Sequence, residues 1–167
     1  MDDSVTNLLW WVIPGELAGM PMPFIHPERR LNRGGDLEDY NDELKVLHRA
    51  GIRAVISLLN LPSDSPIYEA AGFAYLCCPI ENGRPPTAQQ ATECARFIKA
   101  QLSAKHPVAV HCEGGIGRTG TVLAAYFILE GEAANDAIRR IRTIEPAAIE
   151  TPRQILFLRE FAAFNPF

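Results

Sequence analysis

The 167-residue sequence predicts an α/β fold in which a central, mostly parallel sheet is flanked by helices. Three observations carry that expectation. The runs IRAVISLL (52–59) and PVAVHC (107–112) are apolar, rich in β-branched residues and bounded by turn residues, so they read as buried strands. Longer stretches with apolar residues at helical spacing lie around them. After PVAVHC come three helical stretches and no further strand, so the last strand must feed a loop that opens a helix. A chain of this length is expected to fold as one domain, residues 1–167, with room for a substantial core.

The opening third, 1–36, carries many of the prolines and glycines and reads as irregular, with a short strand pair around Trp11–Ala18. RRLNRGGDLED (29–39) reads as a surface loop with a basic tip. Leu37, Tyr40, Leu44 and Leu47 fall near helical spacing, and Gly51 stops that helix. FAYLCCPI (73–80) reads as a strand running into the loop ENGRPP, and TAQQATECARFIKAQLSAK (87–105) as a long helix with Thr87 at its N-cap. PVAVHC has the composition of the innermost strand. TVLAAYFILEG (121–131) is apolar on every side, which predicts a buried helix. AANDAIRRIRTIE (133–145) and TPRQILFLREFAAF (151–164) read as amphipathic helices, separated by Pro146, the second capped by Thr151.

Composition narrows the classes. Apolar residues make up 47% and charged residues 22%, ordinary for a globular protein. A net charge of −4 argues against a nucleic-acid surface or an anionic membrane face as partner. The four cysteines, Cys77, Cys78, Cys94 and Cys112, form neither a disulfide framework nor a paired C-x-x-C zinc pattern, so a reducing, cytoplasmic setting is expected. The start, MDDSVTNLLWWVI, has acidic residues where a signal peptide has basic ones, and no segment approaches a membrane span in length.

The segment HCEGGIGRTG (111–120) carries the chemistry. From Gly115 it spells G-x-G-x-x-G, and from Cys112 it is a cysteine, five residues and an arginine. The dinucleotide reading requires a second parallel strand after the helix, ending in an acidic residue for the ribose. Two helices follow instead, and Asp136, near the required offset, falls within one of them. A Walker loop fails because no Lys-Ser/Thr follows the glycines. The cysteine reading gains from the same context. Cys112 ends a buried strand and faces a helix N-terminus, where the amides of Glu113, Gly114, Gly115, Ile116, Gly117 and Arg118 can turn inward as an anion nest. Such surroundings favour the thiolate, which is the nucleophilic form. Arg118 offers a planar fork for two phosphate oxygens, and Thr119 a hydroxyl that can donate to the Cys112 sulfur. Inert packing, the ordinary fate of a buried cysteine, calls for neither three glycines nor an arginine around it.

VHCEGGIGRTG resembles the signature of the cysteine-dependent protein tyrosine phosphatases, specifically their small atypical dual-specificity members. WVIPGELAGMPMP resembles the opening of those proteins, AGIRAVISL their second strand and AIETPRQILFL their closing segment, so the resemblance covers most of the chain. It implies a three-layer sandwich of the phosphatase type and hydrolysis of phosphotyrosine, with phosphoserine and phosphothreonine as further candidates. It also implies a phosphocysteine formed on Cys112, Arg118 holding the equatorial oxygens, and Gln154 positioning the hydrolytic water. His111 is then a buried support of the loop rather than a base. The resemblance implies neither metal nor other cofactor, a phosphorylated protein or peptide as the partner, and a monomer.

One departure stands out. The family's acid is an aspartate in a segment such as P-I-x-D, where this chain has CCPIENGRPPT with Asn82 in that slot and Glu81 before it. An amide cannot donate an acid proton. Glu81 is the expected general acid, with Glu150 beside Gln154, or weak acid assistance, as the other readings. Two other functions also stay open, a phosphate-binding module with little turnover and a phosphatase for lipid or RNA phosphates. Glu113 and the absence of lysine in the loop weigh against a highly anionic substrate. Cys77 and Cys78 end a strand that could lie beside the one bearing Cys112, which would permit a protective disulfide, although core packing is the plainer role. Cys94 has no role beyond packing.

Overall fold

The computed structural model describes residues 8–23 and 37–164, with side chains of the second segment described from Asp42 onward. Its sheet has the order β1-β2-β5-β3-β4, formed by Trp10–Ile13 (β1), Leu17–Met20 (β2), Ala54–Ser57 (β3), Ala74–Cys77 (β4) and Val108–His111 (β5). β1 is antiparallel to β2 and all other pairs are parallel. β5 therefore occupies the centre, as its apolar composition predicts. The expected strand pair near the N-terminus is present as β1 and β2, while the basic-tipped loop lies mostly outside the described residues.

Alternation along the strands divides the core in two. Leu17, Ala54, Ile56, Val108 and Val110 face one apolar cluster; Ala18, Met20, Val55 and Ala109 face the other. The first cluster is covered by Ala88–Ser103 (α3), Gly117–Leu129 (α4), Ala134–Ile144 (α5) and Pro152–Phe164 (α6). The second is covered by Leu44 and Leu47 of Leu37–Arg49 (α1) and by Tyr68 of Ser65–Ala70 (α2). Helices, sheet and helices make the three layers. The short α2, with the preceding 3-10 turn at Pro62–Asp64, was not signalled by the sequence pattern, because its proline-broken segment is too short to show a period.

α4 is buried from Gly117 through Ile128 and packs against α3, α5 and α6. A helix so enclosed must be apolar on every side, which is what TVLAAYFIL supplies. Thr87 caps α3 as expected: its hydroxyl accepts from the Gln90 amide, and the Gln90 side chain accepts from the Thr87 amide. No strand follows α4 among the described residues, and Asp136 lies in α5 paired with Arg139, so no ribose site forms there. No helix among the described residues is long and apolar enough to cross a membrane.

Candidate active site

The central strand delivers His111 and Cys112 to the mouth of the sheet, and the chain then turns through 113–116 into α4. Cys112 is 3% exposed and Arg118 6%, so nucleophile-type sulfur and guanidinium are both held within the protein. They line one cavity of about 320 Å³ together with Glu113, Gly114, Ile116 and Gly117 of the loop. Two further residues complete its wall: Asn82, from the segment after β4, and Glu150, from the segment before α6. Tertiary structure thus brings three distant stretches of chain around a single pocket.

The loop is held from outside. Gly115 has φ +73°, and a Cβ there would collide with the Met20 carbonyl and the Pro21 nitrogen. Gly115 is accordingly buried against the end of β2 and does not line the cavity, unlike its expected place among the phosphate-binding residues. A Cβ on Gly117 would sit 2.6 Å from Glu150 Oε2 and 3.3 Å from Gln154 Nε2, so only glycine lets these side chains close against the start of α4. His111 is fully buried, and its Nδ1 lies 3.0 Å from the Cys112 carbonyl. A carbonyl only accepts, so Nδ1 carries the proton in that contact.

Arg118 Nη1 donates to the Ile80 carbonyl at 2.9 Å, which ties the helix start to the segment carrying Glu81 and Asn82. Glu81 itself turns away: it pairs with Arg84 at 2.6 Å, both side chains well exposed, and it is not part of the cavity wall. Glu150 is in that wall. The segment that presents it contains Ile149 at φ +61°, an uncommon conformation for a β-branched residue. Arg142 of α5 stabilises this bend by donating from Nε to the Ala148 carbonyl at 3.0 Å and from Nη2 to the Ile149 carbonyl at 2.6 Å.

Gln154 is buried beside Gly117 rather than in the cavity wall. Its Oε1 accepts from the Thr151 amide at 3.0 Å and its Nε2 donates to the Arg84 carbonyl at 3.4 Å. The Thr119 hydroxyl is buried and makes no hydrogen bond, so the expected bond to the Cys112 sulfur is not formed.

Of the other cysteines, Cys78 and Cys94 pack in the core as expected, but not beside the strand of Cys112. β3 intervenes between β4 and β5, with Cys77 in register with Ser57 and Ser57 with His111, so the strand ending in Cys77 is not beside the one bearing Cys112. Cys78 instead meets Cys94 of α3. The Cys94 thiol donates to the Cys78 sulfur, which holds the Cys78 thiol below the ordinary range and, with burial, pushes Cys94 above it. Cys94 thus has a partner, which its place on an apolar helix face did not reveal. Among the described residues no group of three or more His, Cys, Asp or Glu side chains is placed to hold a metal ion.

Sequence reasoning missed Trp10, whose indole donates to the Gly115 carbonyl across 105 residues, the Ile80 carbonyl, which Arg118 meets across 38, and Arg142, which acts through two backbone carbonyls of the next bend. Each contact runs between a side chain and a backbone carbonyl, so no pattern of residue types marks it.

Comparison with known proteins agrees with this geometry. The family model Tc-R-P, described as "Polymorphic toxin system, DSP-PTPase phosphatase", matches residues 32–132. Tyrosine-protein phosphatase cdc-14 of Caenorhabditis elegans is 27% identical over 145 residues, covering 86% of this chain and 20% of its own length. Dual specificity protein phosphatase CDC14A of Homo sapiens is 26% identical over 145 residues, covering 86% of this chain and 24% of its own length. The chain therefore spans about a fifth to a quarter of these curated relatives. Among solved structures, Tk-PTP in the active form superposes with a TM-score of 0.78 at 26% identity, over 95% of this chain and 98% of that one. PTPMT1 in complex with PI(5)P superposes with a TM-score of 0.74 at 19% identity, over 93% and 95%, which shows a shared fold. The chain belongs to the DSP-PTPase phosphatase family, within the cysteine-dependent protein tyrosine phosphatase superfamily.

Proposed function

We propose that the chain hydrolyses phosphomonoesters on proteins, phosphotyrosine foremost, with phosphoserine and phosphothreonine as further substrates. The observation that carries this reading is the meeting of Cys112, Arg118 and Glu150 in one cavity with the loop residues Glu113, Gly114, Ile116 and Gly117. The Cys112 thiolate attacks phosphorus while the Arg118 fork and the loop amides hold the equatorial oxygens. The bond from phosphorus to the leaving oxygen breaks, and that oxygen takes a proton from the Glu150 carboxyl. Water then gives a proton to the Glu150 carboxylate and attacks phosphorus, breaking the P–S bond and releasing phosphate and thiolate. Thr119, whose buried hydroxyl has no partner in the resting site, turns to donate to the sulfur as it departs. Gln154, packed beside Gly117, steadies the side from which water enters.

Of the three readings for the proton donor, Glu150 has the support of position, since it lines the cavity and Glu81 does not. Asn82 lines it too, as a neutral hydrogen-bonding group toward the substrate. Glu113 and Glu150 in the lining repel a polyanionic head group or nucleic-acid backbone, which favours a single phosphate on a protein side chain. A module that only bound phosphate would have no use for the sulfur in its cradle.

The test is hydrolysis of an aryl phosphate without added metal. Cys112→Ser is expected to abolish turnover while retaining phosphate-site binding; unchanged turnover would overturn the mechanism. Glu150→Gln is expected to lower kcat for alkyl phosphates by roughly 10²–10⁴, the usual contribution of general acid catalysis, and far less for 4-nitrophenyl phosphate. If Glu81→Gln does this and Glu150→Gln does not, the proton donor is Glu81.

A further inference from the structure

We infer that Trp10 is a positioning residue of the phosphate loop, acting with the end of β2 to hold two loop carbonyls outward so that two amides face the anion. The inference rests on the reading of 112–118 as a phosphate cradle. Four observations lead to it. The Trp10 indole Nε1 donates to the Gly115 carbonyl at 3.1 Å, across 105 residues of sequence. The Met22 amide donates to the Glu113 carbonyl at 3.1 Å. Gly19, opposite Trp10 in the β1–β2 register, has no side chain because the indole lies directly over it; a Cβ there would collide with the ring. Gly115 in turn lets the loop touch the Met20 carbonyl and the Pro21 nitrogen.

The consequence follows from peptide geometry. In a trans peptide the C=O and the following N–H point to opposite sides, and the described residues contain no cis peptide. A Glu113 carbonyl held toward Met22 sends the Gly114 amide the other way, and a Gly115 carbonyl held toward Trp10 does the same for Ile116. Gly114 and Ile116 are loop residues that line the cavity, whereas Gly115 is not. The alternation of outward carbonyl and inward amide is what an anion nest requires. Without these outside donors, each of those peptides is free to present its carbonyl dipole to the phosphate instead.

Trp10→Phe removes the N–H donor together with the part of the indole that lies over Gly19, so its Tm is read beside its ligand affinity. Tungstate, a phosphate-shaped oxyanion, reports the cradle without turnover. Its Kd is expected to rise roughly three- to tenfold, the scale of one lost hydrogen bond. The rate of Cys112 alkylation by the anionic reagent iodoacetate, which enters the same cradle, is expected to fall in parallel. For an aryl phosphate the loss is expected in kcat/KM, with KM raised. A residue that merely supported the fold would lower Tm and leave the Kd of the folded protein unchanged, and that result would overturn the inference. Should Trp10→Phe fail to fold, the wild-type indole decides: its N–H resonance is expected to be protected from solvent exchange and to shift when tungstate saturates the loop. An exchanging, unresponsive resonance would overturn the inference equally. Turnover surviving Cys112→Ser would instead strike the catalytic reading, and wild-type protein blind to tungstate would strike the cradle itself.

Discussion

Arg118 is tied to the protein by one end of its fork. One of its nitrogens is committed to the Ile80 carbonyl, which leaves the rest of the fork directed by that anchor. Lysine would keep the charge and lose both the fork and the anchor's geometry. Arg118→Lys is expected to lower kcat/KM for an aryl phosphate by roughly 10²–10³, the scale of one removed transition-state donor; steady-state kinetics alongside circular dichroism checks it, and a change under threefold would contradict it. Thr119 poses the opposite balance. Its hydroxyl is buried and unpartnered, an arrangement that costs roughly 1–3 kcal/mol of stability. Thr119→Val, nearly isosteric, is expected to raise Tm and to slow release of phosphate from the sulfur, seen as a larger burst in pre-steady-state kinetics. A lowered Tm with unchanged turnover would refute both halves.

At the scale of elements, the site depends on how a loop and a bend are restrained by their neighbours. The bend at Ile149 places a β-branched residue at positive φ beside a cavity residue, and strain of this kind, of order 1–3 kcal/mol, persists only when surroundings enforce it. Arg142 supplies that enforcement through two carbonyls. Arg142→Met is expected to reproduce part of the Glu150→Gln defect on alkyl phosphates while sparing tungstate affinity, as measured by kinetics and calorimetry on one sample. Loss of affinity without a leaving-group effect would show that the bend does not serve Glu150. The segment 78–84 is restrained in the same manner: Cys78 rests on Cys94, Ile80 on Arg118, and Gly83 on the Thr151 hydroxyl, which donates to its carbonyl at 3.0 Å.

The whole molecule stakes its site on α4. That helix carries Arg118 and Thr119 at its first turn and is enclosed by three other helices, so the core and the site share one element. Leu123→Ala removes a fully buried side chain from it and is expected to cost about 2–5 kcal/mol, lowering Tm by roughly 2–4 °C for each kcal/mol. Thermal denaturation checks this, with tungstate affinity of the remaining folded protein expected to persist. The central place of β5 has a related logic: its four residues are all fully buried, and a strand flanked by partners on both edges aims Cys112 without slack.

Much of this was legible in local pattern. The apolar runs marked the strands, the uniform apolarity of TVLAAYFIL marked the enclosed helix, and a cysteine, five residues and an arginine marked the loop, because each is a property of consecutive residues obeying a short period. Which carboxylate lines the cavity was not legible. Glu81 occupies the expected stretch of sequence but pairs outward with Arg84, while Glu150 reaches the cavity from a bend held by another helix. Nor could any spacing connect Trp10 to Gly115 or Cys78 to Cys94. The sequence by itself determined which groups are chemically able to form the site; tertiary structure decided which of them face it, because the direction of a side chain is set by backbone torsions and packing partners that lie far away along the chain.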